Sequence, residues 1–224
     1  NALGAITDVS ACTAFGYSAG SANTSGTSNV YVGAYCGDAT TTGAGNTFVG
    51  DAAGGANISG GNNTFVGFQA GDANTTASNN TAVGYGALGA NITGTMNTAV
   101  GQGAGLLVTT AENDTLIGFL AGDALTTGGG NTHIGGGAGG AHTTGTNTIC
   151  IGVNAASNLT TGGTGIYIGY GCTASAVDVG GHEVVIGPGA AKGINTAFVV
   201  AGGNVFKGDN GTAWAQTSDR RIKK

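Results

Sequence analysis

The sequence predicts an all-β protein, a parallel β-solenoid (β-roll) of 17-residue coils. Three observations carry the prediction. The glycines Gly16, Gly33, Gly50, Gly67, Gly84, Gly101, Gly118, Gly135, Gly152 and Gly169 stand seventeen positions apart, and Gly187 follows after eighteen. The residue before each is Phe15, Val32, Val49, Val66, Val83, Val100, Ile117, Ile134, Ile151, Ile168 or Ile186, a file that is β-branched at every position but the first and suits a strand. Finally, 48 of the 224 residues are Gly, against an ordinary share of about 7%, and Gly, Thr and Asn are weak helix formers. A period held without slippage over this many units means that each unit makes one turn of a stack.

The strand leading into each glycine is expected to place its Val/Ile file in the core. Three positions after the glycine, Ala19, Cys36, Ala53, Ala70, Ala87, Ala104, Ala121, Ala138, Ala155 and Cys172 form a second inward file with room only for small side chains. Two positions before the glycine stand Tyr31, Phe48, Phe65, Ala82, Ala99, Leu116, His133, Cys150 and Tyr167. By the period-two rule for strands these should face away from the Val/Ile core. A mostly apolar outward stripe marks an interface, so a homo-oligomer packed along it is expected. Ala-Gly and Thr-Thr-Gly segments signal turns, as at Thr126 to Gly128 and Thr143 to Gly145. The file Asn29, Asn46, Asn63, Asn80, Asn97, Asp114, Asn131 should hydrogen-bond along the stack and to turn backbone. Strands about 4.8 Å apart make this a rod roughly 50 Å long.

Charge narrows the function. The net charge is −5, and no Lys or Arg precedes Lys192. Nucleic-acid binding needs cations to displace phosphate counterions, so that class is excluded for the long repeat segment. No apolar run is long enough to span a bilayer, so no membrane insertion is expected. The chain starts at Asn1 without Met or a basic leader, and a fragment of a longer protein is expected.

Residues that often carry chemistry read here as parts of the repeat. Cys36 and Cys172 share a file eight coils apart, beyond disulfide reach, and Cys12 and Cys150 lack a CxxC partner. His133 and Cys150 lie in the file expected to face outward, where copies of either could meet at a threefold axis. His142 and His182 share no phase with His133. Asp72 and Asp123 follow Ala-Gly turns and Asp38 follows Cys-Gly, but the same phase holds Ser21, Gly55, Gly89 and Leu106, unlike a calcium-binding roll. The file Thr42, Thr76, Thr93, Thr110, Thr127, Thr144, Thr161 raises an ice-binding reading, for which only one regular outward Thr file is visible. Asn-x-Thr/Ser sequons at Asn57, Asn91 and Asn158 arise from the repeat itself. No metal or cofactor is expected. With no paired carboxylates, nucleophile elbow or phosphate loop converging on one pocket, neither is enzymatic activity.

The units Asn46-Thr47-Phe48-Val49-Gly50, Asn97-Thr98-Ala99-Val100-Gly101 and Asn147-Thr148-Ile149-Cys150-Ile151-Gly152 resemble the head repeats of trimeric autotransporter adhesins and repeats in phage tail fibres. The resemblance covers nearly all of residues 10 to 193 and implies a left-handed parallel β-roll in each of three chains packed side by side. The period ends past Gly193. Ala197 to Val200 and Asn204 to Phe206 read as two short strands leading to Trp214. Ser218-Asp219-Arg220-Arg221-Ile222-Lys223-Lys224 is similar to the opening of the intramolecular chaperone domain of phage tail fibres and tailspikes, of the endosialidase type. That family cuts its own chain just before this Ser with help from a Lys five residues on, which implies Ser218 as nucleophile and Lys223 as its base.

The expected organisation is therefore a solenoid shaft or head over residues 1–193, a β transition segment over 194–217 and the start of a chaperone domain over 218–224. The expected function is a structural, host-attachment tail-fibre protein of the virion, extracellular, matured by loss of the chaperone. Its expected partners are two further copies of itself, a host receptor or glycan, and other tail-fibre or baseplate proteins. The alternatives are an adhesin head and an ice-binding solenoid.

Overall fold

A computed structural model describes residues 11–178 and 182–188, together with the backbone of three later strands. Eleven three-residue strands, from β1 (Thr13–Phe15) to β11 (Val184–Ile186), form one continuous parallel sheet in chain order. Register is constant: β3 (Thr47–Val49) meets β4 (Thr64–Val66) as Thr47 to Thr64, Phe48 to Phe65 and Val49 to Val66. The same match runs up the stack to β10 (Ile166–Ile168) against β11, across which the loop is one residue longer. Beyond it, β12 (Ala197–Ala201) adds in parallel to β11, and β13 (Asn204–Gly208) and β14 (Ala215–Gln216) follow antiparallel. Pairing thus switches from parallel to antiparallel between β12 and β13.

The glycine file has a steric cause. Gly50 has φ +138, and a Cβ on it would stand 2.4 Å from the carbonyl oxygen of Gly67 in the next coil. Every such glycine from Gly16 to Gly152 meets its successor in the same way. A side chain anywhere in this file would push two coils apart.

The facing of the strand residues reverses the expectation. Tyr31, Phe48, Phe65, Ala82, Ala99, Leu116, His133, Cys150, Tyr167 and Val185 are fully buried inside the coil. The Val/Ile file lies on the outside: Phe15 is 75% exposed, Ile117 36% and Ile186 38%. The uniform β-branched file is the sheet's outer surface, and the file of variable size fills the interior. The small-residue file from Ala19 to Cys172 faces inward as expected.

From the coil of Tyr31 to that of Ala82, volume inside the coil is exchanged between two files. Tyr31, Phe48 and Phe65 lie opposite Gly37, Gly54 and Gly71, where a Cβ would come within 2.5 to 2.6 Å of the ring. One coil on, Ala82 takes the large position and Leu88 the glycine position, and both are buried. Phe48 and Phe65 stack with ring centroids 4.9 Å apart and planes 5° from parallel.

Candidate functional site

Asparagine supplies most of the buried polar framework. Asn29 Oδ1 accepts the backbone N–H of Asn46 at 2.8 Å, while Asn29 Nδ2 donates to the carbonyl of Gly43 at 2.8 Å. Asn46, Asn63, Asn80 and Asn97 repeat both bonds. The expected bonding along the stack is therefore present, as side chain to backbone. A second ladder, not anticipated from the sequence, runs through Asn57, Asn74 and Asn91: Asn74 Nδ2 donates to Asn57 Oδ1 at 2.8 Å, and Asn91 Nδ2 to Asn74 Oδ1 at 3.1 Å. Asn57 and Asn91 are fully buried, so their sequons are closed to glycosylation in the folded chain.

Three departures from this framework bury ionisable groups. Asp114 takes an Asn place; Oδ1 accepts the N–H of Asn131 at 2.8 Å, while Oδ2 has no partner. Burial raises its pKa to about 7. His133 and His142 are both buried, with ring centroids 5.3 Å apart. His142 Nε2 lies 2.8 Å from the carbonyl of Gly162, whereas neither ring nitrogen of His133 has a partner. Burial, reinforced by His142, lowers the His133 pKa to about 3, and burial lowers that of His142. Glu183 closes the stack from inside: its Oε2 accepts from the Tyr167 hydroxyl at 2.9 Å and from the N–H of Ser175 at 3.2 Å.

These positions correct the site expectations. His133 and Cys150 lie in the interior of a single coil stack and cannot meet copies of themselves at an outer face. His142, out of phase with His133 in sequence, faces it from another inward file. Phase within one file misses such a pair, and the signal that finds it is that His142 replaces an interior residue, between Leu125 and Leu159 of the same file. Cys36, Cys150 and Cys172 are buried, and burial raises all three thiols. Among the described residues no three His, Cys, Asp or Glu are placed to hold a metal ion, and no helix is long and apolar enough to cross a membrane. Ser218 and Lys223 lie outside the described residues.

The surface offers two features with a regular geometry. On the outer strand face, Thr47, Thr64, Thr81, Thr98, Thr115 and Thr132 run beside the Val/Ile file, two residues apart on each rung. The Thr42 to Thr161 file also points outward and is exposed. Just past the strand ends, Tyr17, Tyr35, Phe68, Tyr85, Phe119 and Tyr170 project from the turns. Tyr17 meets Tyr35 edge-on at 5.3 Å, and Phe68 stacks on Tyr85 at 5.6 Å. Apolar rings exposed in neighbouring coils are surface costs unless something covers them.

The fold and these surfaces define a β-solenoid repeat protein. No family model, curated protein or solved structure matches the chain.

Proposed function

We propose that this chain is a structural and host-attachment protein, a trimeric β-solenoid segment of a phage tail fibre, extracellular and matured by removal of a C-terminal chaperone. The observation that supports the reading best is the uninterrupted register of eleven parallel rungs carrying an outer Thr and Val/Ile face. A stack of short rungs resists bending, and an apolar file along its whole length gives like chains a surface to share. The trimer contact proposed is this Val/Ile file, in place of the file of Tyr31 to Tyr167 that fills the interior. Maturation rests on the resemblance of Ser218 and Lys223 to the self-cleaving motif. An adhesin head would use the same architecture and differ in the chain beyond Lys224.

Solution mass by sedimentation, with and without SDS, tests the assembly. A trimer is expected, and a monomer in native buffer rejects it. With chain extended past Lys224, a cut before Ser218 is expected, and an intact product removes the self-processing step. One observation favours a second reading, ice binding: the strand face holds a regular Thr file, Thr47 to Thr132, beside a Val/Ile file. Thermal hysteresis at the freezing point separates the two readings.

A further inference from the structure

We infer that a cleft beside Tyr85 is a binding site for a neutral carbohydrate, an inference that rests on the attachment reading and gives its receptor a chemical class. The cleft has a volume of about 320 Å³ and is formed where the repeat drops two side chains at once. Gly86 and Gly89 occupy files that hold Gln69 and Asp72 in the coil before, and Leu106 borders both glycines, its Cδ1 3.5 Å from where either Cβ would be. The result is a notch with a glycine floor, a polar wall of Gln69 and Asp72, and an apolar wall of Leu106.

Tyr85 supplies the platform. Its ring is 55% exposed and stacks against Phe68, 46% exposed, with planes 5° apart. Phe68 fixes the ring from one side. The next residue in that file is Gln102, so no further aromatic ring covers the other side. A flat ring beside one carboxylate and one amide matches a pyranose, which presents an apolar C–H face and a rim of hydroxyls. The carboxylate accepts from hydroxyls, and the amide both donates and accepts. Charge selects the neutral members of the class. No Lys or Arg precedes Lys192, and Asp72 lines the wall, so a sialylated or sulfated glycan would meet repulsion without a compensating cation. The notch lies in the turn after β5 (Thr81–Val83), past the strand that carries the proposed chain contact.

The test is binding of the full chain to an array of immobilised neutral oligosaccharides of hexoses, deoxyhexoses and N-acetylhexosamines, with sialylated and sulfated glycans alongside. Retention on one or more neutral glycans is expected. Tyr85→Ala and Asp72→Ala should each weaken it about tenfold or more. Gly89→Leu should abolish it by filling the notch, and the fold accepts Leu at that phase because Leu106 occupies it one coil on. Asp38→Ala, in the same file but outside the notch, should bind as the parent does. Circular dichroism confirms that each variant is folded. The inference is overturned if the parent retains no neutral glycan, if it retains only charged ones, or if Tyr85→Ala and Gly89→Leu bind unchanged. Adhesion to a panel of bacterial cells separates this failure from that of the attachment reading. Cell adhesion that survives both substitutions sinks the cleft alone, and a parent chain that adheres to none sinks the attachment reading.

Discussion

Gly54 faces the ring of Phe48 so closely that a methyl group on it would stand 2.6 Å from Cε2. In the three successive coils of Tyr31, Phe48 and Phe65 a ring fills the interior, and the residue six positions later is then glycine. The coil of Ala82 and Leu88 solves the same problem with the sizes exchanged, and Leu88 even accepts φ +50 to do so. Gly54→Leu should therefore destabilise the chain, and Phe48→Ala should cost about 3 to 5 kcal/mol. The double substitution Phe48→Ala with Gly54→Leu should recover a large part of that loss. Chemical denaturation of the single and double variants measures the coupling; a double variant as unstable as the sum of its parts refutes the exchange.

Asp114 is the one carboxylate in a file of amides. Asn97 and Asn131 each donate from Nδ2 to a carbonyl fourteen residues later, a bond that a carboxylate makes only when protonated. Its folded pKa of about 7 lies above the unfolded value of 3.8. Between these values the folded chain holds a proton that the unfolded chain has released, so the contribution of Asp114 to stability is full below about pH 4 and falls as pH rises towards 7. Asp114→Asn should remove that slope and raise the melting temperature at pH 8, with little change at pH 4. Equal shifts at both pH values would show that Asp114 folds ionised.

How far the sequence discloses this molecule depends on which interactions repeat. The period, the strands, the small-residue file and the Asn29 to Asn131 file are legible because each coil repeats its neighbour's environment, and any misfit would recur along the whole stack. The facing of the strand is not, because period two separates two faces without saying which is inside. Uniform Val and Ile look like core, yet a β-branched file also suits the outer surface of a sheet. The signal that decides it is exchange of size: Tyr31 with Gly37, Phe48 with Gly54, Phe65 with Gly71, then Ala82 with Leu88. Only files that share an enclosed volume compensate in this way. The cleft at Tyr85 depends on two glycines coinciding in one coil, which no single file displays.

His133 should make the centre of the stack sensitive to acid. Its folded pKa of about 3, and the lowered value of His142 beside it, lie below the unfolded 6.5. As pH falls below about 6.5 the unfolded chain gains protons that the buried rings refuse, so stability drops progressively towards pH 3. His133→Phe keeps a ring in a file that already carries Phe48 and Phe65, and Gly122 and Gly139 leave space around it. Denaturation midpoints at pH 7 and pH 4 should therefore lie closer together in this variant than in the parent. Unchanged spacing would place the acid sensitivity elsewhere.

Met96 marks a position where the chain falls short of its own pattern. It is 53% exposed and sits at φ +60. Its file holds Asn62, Asn79, Asn113 and Asn147, all at φ between +55 and +62, with glycine at Gly45 and Gly130. Asn tolerates the left-handed region because its short polar side chain bonds locally, whereas an unbranched apolar chain carries the full steric penalty of about 1 to 2 kcal/mol. An exposed Met has little packing to lose. Met96→Asn should therefore raise stability by about 0.5 to 1 kcal/mol, and Met96→Gly by a similar amount, while Met96→Ala should gain nothing because its Cβ keeps the strain. Calorimetric melting of the three variants distinguishes relief of backbone strain from any effect of removing an exposed apolar side chain, which Met96→Ala shares.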